Sequence, residues 1–510
     1  MRYILYVFLL AFSLLGFAQK KDRDTSSFII QPNRIEFQME DFNTNFQLVG
    51  GEESGILAVV STQKNNGEGF DWVFHSLDTA LTVRWTRVFS ISFDSYLLGT
   101  EYHNGKYYLL FNTSRYRNED LLLFELDAES AEFTRAEIST VFPVQLKFFE
   151  VLGNSVILSG YTNYRPVLLT YDLIEQKPRV VPGFYENNSD ILDVIIDDES
   201  LLFTVIQQDK VNKNQITIQA KTFTSQGDLI QANSVVPGER KSLIDGTATM
   251  FLGGFQYMAG TFSKKPSEYS KGLYLAKFIN GRQQYISYYD YAELTNFFGY
   301  MSDRREKRVL ERIQRRRSKG KKANFSYRLT VHDILQRGDE YLMIAEAYYP
   351  RYSNSSFGYA GSGGAFANPG FLGYQYTHAI MVAFDRNGNI LWDNSFAIND
   401  ISTFTLREFV SVNTIDDKVV LMYLDENTIK TKIVQGREVY AGTTFNPVRL
   451  SYADDEIRSR DPEIEGLQNW YDNTLYAFGE QRIFNGNFQG AKGSRRVFYI
   501  NKIKCNIAEE

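Results

Sequence analysis

One cysteine, Cys505, occurs in 510 residues. An intrachain disulfide is therefore excluded, and so is a metal cage built from cysteine. The four histidines, His75, His103, His332 and His378, stand singly and lack metal-ligand spacing. After the first residues no apolar run reaches the roughly 20 residues that a membrane-spanning helix needs. Long helix-period segments are nearly absent outside one region. The packed core must carry the stability that disulfides supply elsewhere.

What is abundant points to β structure: 39 Phe, 33 Tyr and 36 Gly. The net charge is −6, but residues 303–322 hold eleven basic and three acidic side chains, so the remainder is distinctly acidic. Met1 and Arg2, the apolar run 3–15, and Gly16-Phe17-Ala18 before Gln19 read as a secretory signal peptide over 1–18. A polar leader follows over 19–27. No cysteine follows the cleavage site, so a lipoprotein anchor is not expected. The mature chain is expected in an extracytoplasmic compartment, which makes nucleic acid an improbable partner.

A four-strand pattern recurs from residue 45 onward. The units are expected over 45–91, 96–138, 145–185, 191–236, 248–289, 325–397, 408–443 and 464–503. The last unit has three strands, and 28–38 is a strand without a unit. A period of about 40 to 50 residues with four strands each predicts an all-β fold, a β-propeller. About eight blades are expected, with seven as the alternative count. The ring closes by pairing 28–38 with 496–503, which removes an exposed edge. Two β-sandwiches would explain the strand number but not the complementary ends. The propeller is expected to span 28–505, with a tail over 506–510.

One insertion precedes the sixth unit and a second interrupts it. Residues 291–322 contain a basic helix, with Asp303 as the expected N-cap and Glu306 completing a capping box. Val309, Leu310 and Ile313 form a stripe that looks too thin to be core. Around it lie Arg304, Arg305, Arg308, Arg312, Arg315 and Arg316. Residues 349–376 are expected to form a Gly/aromatic loop. It carries no charge between Tyr352 and Thr377, and Phe357, Tyr359, Phe366, Phe371 and Tyr374 lie among glycines. Alternate connections of a meander leave from opposite faces, so both insertions are expected on one face. The helix is either a solvated charged surface or a dock for an acidic partner or anionic head groups. The loop either folds back or anchors a partner.

Chemistry is harder to find. Gly361-Ser362-Gly363-Gly364 lacks the lysine of a phosphate loop and the spacing of a nucleophile elbow. Asp385 to Asn389 has its glycine misplaced for a calcium loop and reads as a hairpin turn. Asp454-Asp455-Glu456 reads as an exposed turn. No catalytic residue, cofactor or metal ligand is expected. A carboxylate pair assembled from different blades remains the one enzymatic route, as in a glycosidase.

The signal ending Phe17-Ala18-Gln19, the whole-chain propeller, the absence of a lipoprotein cysteine and the large one-sided insertions resemble the plug subunit of the type IX secretion translocon. That resemblance implies a periplasmic interaction protein closing the inner mouth of a large outer-membrane barrel, with 291–322 and 349–376 as the contact region. The alternative expectation is a secreted carbohydrate-active propeller, hydrolase or lectin, with an axial funnel of facing carboxylates and aromatics.

Overall fold

Short turns rich in Asn, Asp and Gly join strands that pair antiparallel with their neighbours in sequence. Asp385 shows the local chemistry. Its Oδ1 accepts hydrogen bonds from the backbone amides of Asn387 (2.8 Å) and Asn389 (2.9 Å), and Gly388 supplies a φ of +82°. This segment is the hairpin turn its sequence suggests.

The computed structural model describes residues 28–39, 44–65, 67, 69–113, 120–352, 370–399, 401–461, 464–487 and 493–507. The expected signal peptide and leader, the glycine cluster 361–364 and Phe357, Tyr359 and Phe366 lie outside the described residues. Among the described residues the strands form eight sheets, six of four strands and two of six. Each sheet is one blade of an eight-bladed propeller. The inner strands are Asn45–Gly50, Tyr96–His103, Gln145–Leu152, Ser189–Asp197, Ser242–Ala248, Arg328–Val331, Ser411–Ile415 and Gly466–Tyr471 for blades 1 to 8.

Each blade buries its faces only against its neighbours, and the core divides accordingly. Eight hydrophobic clusters occupy the eight blade interfaces in turn. The cluster between blades 8 and 1 closes the ring: Phe46 stacks on Phe498 with centroids 4.2 Å apart, and Trp470 Nε1 donates to Gly55 O at 3.0 Å. The N-terminal strand completes blade 8, with Arg34 opposite Asn501 and Gln38 opposite Val497. It is two strands, Ile29–Ile30 and Arg34–Gln38, because Pro32 has no amide to give the ladder. Asn506 N donates to Phe28 O at 2.9 Å and Ile507 is buried, so the expected tail begins inside the fold.

Four other expectations need correction. Blade 5 starts at Ser242, not 248; its polar Ser, Asp, Gly and Thr hide the strand pattern. Asp455 is buried, not exposed, because Arg495 Nη2 lies 2.5 Å from its Oδ2, and a strand, Glu456–Arg460, follows. The long loop of blade 6 is strand at both ends, Glu340–Tyr352 and Phe371–Phe384. Cross-strand pairs such as Tyr352 with Phe371 and Pro350 with Tyr374 extend the ladder, so Phe371 and Tyr374 are strand residues.

The basic helix, α1, spans Asp303–Arg317, and its N-cap is Ser302 rather than Asp303. Ser302 is already extended, and its carbonyl accepts from Arg305 N and Glu306 N. The capping box instead belongs to Asp290 and Glu293, one short turn upstream. No helix among the described residues is long and apolar enough to cross a membrane.

Candidate functional site

α1 is held against the propeller more firmly than its thin stripe suggests. Ile313 is 4% exposed and joins the core between blades 5 and 6, with Val309 and Leu310 beside it. Burying such a side chain stabilises by about 2 kcal/mol. The stripe suffices because Phe298 and Phe325, from the flanking segments, pack on each other beneath it with centroids 4.6 Å apart.

The segment leading into α1 is stapled to blade 6. Asp393, on the outer strand Ile390–Ala397, accepts hydrogen bonds from Thr295 N (2.8 Å) and Asn296 N (2.6 Å). Tyr300 lies parallel to His378 at 3.6 Å. Burial lowers the His378 pKa to about 3, so the ring is neutral and stacks as an aromatic. After α1, Lys322 Nζ returns to Asp290 Oδ2 at 3.1 Å.

The outward side of α1 is cationic. Arg304, Arg308 and Arg315 project on the side opposite Ile313, Arg312 lies to one flank, and all four are exposed. Arg305 and Lys307 flank them. Among the described residues none of these six forms an ion pair. Arg312 lies over the Phe325 ring at 5.7 Å, and the half-buried Arg316 donates to Lys322 O at 2.9 Å. Some arginines elsewhere are paired, as in Arg337 with Glu340 and Arg495 with Glu36 and Asp455.

The blade 6 hairpin runs on past the sheet. Tyr349, Tyr352, Phe371 and Leu372 are exposed on it. The connection to blade 7 adds a short strand, Ser402–Thr403, which pairs with Tyr374 and Gln375, and then exposed Phe404 and Leu406. Blade-to-blade connections and second-to-third connections leave from one face of a meander. The cationic row and this aromatic edge therefore share a face.

A second feature lies on the axis. The inner strands of blades 2 to 5 each contain a register shift, at Leu97/Gly99, Leu146/Phe148, Ile191/Asp193 and Leu243/Asp245. Such bulges re-aim the side chains that follow. Asp193 and Asp245 follow directly, and each binds the next backbone amide, Val194 N (2.8 Å) and Gly246 N (2.9 Å). Glu101, Glu150, Asp333 and Glu408 come from blades 2, 3, 6 and 7. Thr247 Oγ1 links blade 5 to Asp333 at 3.2 Å.

These carboxylates are enclosed by protein yet keep solvent-reachable surface, the condition of a narrow aqueous channel. Burial raises the pKa of each, taking Asp245 to about 6. Mutual repulsion adds to this: Glu150 feels Glu101, Asp193 and Asp333, and Asp193 feels Glu408 and Asp245. Charges on blades as far apart round the ring as 4 and 7 interact only if they converge on the axis. Lys147, 3.8 Å from Asp190, is the cation that bears on Asp245.

Between blades 6, 7 and 8 a cavity of about 360 Å³ is lined by His332, Asp333, Glu408, Ser411, Gln468 and Asn469. His332 is not isolated. Its Nε2 bonds the fully buried Glu346 at 2.8 Å, its Nδ1 faces Glu408 at 3.5 Å, and its pKa is raised by these carboxylates against the opposing effect of burial. Glu346 Oε1 also takes Phe409 N and Val410 N, tying blade 6 to blade 7. Among the described residues no three His, Cys, Asp or Glu side chains are placed to hold a metal ion.

Sequence reasoning found the arginines and the aromatic edge but missed the axial acids. Their signal was one acidic residue in the first strand of successive units: Glu101, Glu150, Asp193 and Asp245.

No protein-family model matches the chain, and no curated protein does. Solved structures resemble it in fold. The β-propeller domain of the Trilobed protease from Pyrococcus furiosus is 9% identical, with 77% of this chain and 94% of that one covered and a TM-score of 0.35. A prolyl endopeptidase structure is 10% identical, with 81% of this chain covered and a TM-score of 0.37; the chain spans 51% of its length. The polysaccharide lyase Uly1 is 9% identical, with 80% and 90% covered and a TM-score of 0.37.

Proposed function

We propose that the protein is a non-catalytic docking propeller of the cell envelope, periplasmic and associated with the outer membrane. Its working face carries α1 and the blade 6 hairpin. In its most concrete form it occludes the periplasmic mouth of an outer-membrane protein-secretion translocon of the type IX kind. One observation supports docking above all: an unpaired arginine row is pinned on the same face as an exposed aromatic edge. Aromatic and arginine side chains are the residues that anchor interfaces. Pinning them in advance lowers the ordering cost of association. Affinity capture of the tagged chain from solubilised envelopes tests this, with co-recovery of an outer-membrane complex expected and recovery of the chain alone counting against it.

The axial acids favour a second reading, a carbohydrate-active propeller. A retaining glycosidase holds its two carboxyl groups about 5 Å apart. Asp193 and Asp333 instead bear on each other's titration. Such closeness suits a shared proton better than attack on a sugar. Binding or turnover of glycans, lost in Asp333→Asn, would favour this reading over docking.

A further inference from the structure

We propose that the face carrying α1 also binds an anionic phospholipid surface directly, without a protein intermediary. This goes beyond the docking reading and needs no protein partner. Arg304, Arg308, Arg312 and Arg315 form a row about 16 Å long at 1.5 Å rise per residue. The guanidinium fork matches phosphate oxygens better than a point charge does. Glu311 sits within the row, yet among the described residues none of the four arginines forms an ion pair. A fluid leaflet can bring a phosphate to each position.

The neighbouring edge fits the same surface. Tyr349, Tyr352, Phe371 and Phe404 are 46%, 53%, 39% and 58% exposed, and Leu372 and Leu406 accompany them. Aromatic rings settle at the headgroup level of a bilayer, and basic side chains beside them gain from anionic lipid. The net charge of the whole chain, −6, opposes any other approach. This face turned down brings the arginine row and the aromatic edge to the leaflet together.

Co-sedimentation of the full chain with phosphatidylglycerol–phosphatidylcholine vesicles, against phosphatidylcholine alone, tests the proposal. Binding to the anionic vesicles only, weakening with salt, is expected. Replacing the row by R304Q, R308Q, R312Q and R315Q together should lower partitioning on the order of a thousandfold, at about 1 kcal/mol per basic residue. Tyr352→Ser with Phe371→Ser should lower it roughly tenfold, from the lost interfacial contact. Lys177→Gln with Arg282→Gln, at third-to-fourth strand turns on the opposite face, should leave it unchanged. All four arginines are exposed, so unchanged thermal melting will show that the variants fold. Equal binding to neutral vesicles, no binding to anionic ones, or full binding by the four-arginine variant would overturn the proposal. Envelope capture that survives such a failure would leave the protein-docking reading standing on its own.

Discussion

Tyr300 and His378 lie face to face, 3.6 Å apart and within 2° of parallel, and this pair fixes the approach to α1 on blade 6. The neighbouring bonds from Thr295 and Asn296 to Asp393 hold the same segment. The cationic row is thus presented by a pinned helix, not by a loose arm.

Removing that pin should loosen α1 without unfolding the ring. Tyr300→Ala is expected to cost about 1–2 kcal/mol, from the lost ring contact and the lost burial. Amide hydrogen exchange should speed up over 295–323 while the inner strands stay protected. Exchange rising equally in all blades would show that the pair supports the whole fold instead.

The ring closure carries a buried charge cluster. Arg495 reaches Glu36 on the N-terminal strand and the buried Asp455, and both carboxyls are held below their usual range by hydrogen bonds that outweigh burial. Arg495→Met leaves the buried Asp455 without its cation while Glu36 keeps Arg34, so a loss of about 3 kcal/mol is expected in denaturant unfolding. A change under ~1 kcal/mol would mean that the closure rests on the strand pairing and apolar cluster alone.

The axial acids titrate with the opposite sign. Their folded pKa values lie above the unfolded ones, so the native state binds more protons across that interval. Stability from this group is therefore greatest below about pH 4 and falls as pH rises through about 6 for Asp245, and further for its neighbours. Glu150→Gln should raise stability at pH 8 by roughly 1 kcal/mol and leave it unchanged at pH 4. Thermal melts of both proteins at the two pH values check this. Destabilisation by Glu150→Gln at pH 8 would show that the acid is paired rather than repelled.

His332 provides a separate check on the tie between blades 6 and 7. Its nitrogens face Glu346 and Glu408. Its raised pKa means that its contribution is complete below the ordinary imidazole range and lost as pH rises through the folded value. His332→Gln keeps a donor for Glu346 but not the charge. It should cost about 1–3 kcal/mol at pH 6 and less at pH 8, measured by denaturant unfolding. Equal losses at both pH values would place the role in shape rather than charge.

The repeat was legible because each blade repeats one problem, two apolar faces to be covered by neighbours. Phe28 to Gln38 found its partner by the same logic, since an orphan strand and a three-strand blade complete each other. The helix cap was misplaced because Ser302 and Asp303 both carry capping side chains, and only backbone direction decides between them. Asp455 was misread because its partner, Arg495, lies forty residues away in sequence. The axial acids were illegible for a related reason. Each looks like an ordinary polar strand position, and only ring closure brings Glu101, Glu150, Asp193 and Asp333 to one axis.

Affinity capture from solubilised native envelopes, with the wild-type chain beside the R304Q/R308Q/R312Q/R315Q variant, tests the docking face most directly. The wild-type chain is expected to bring down an outer-membrane complex, and the variant to lose it while melting normally. Identical capture by both, or none by either, would contradict a working face built on α1.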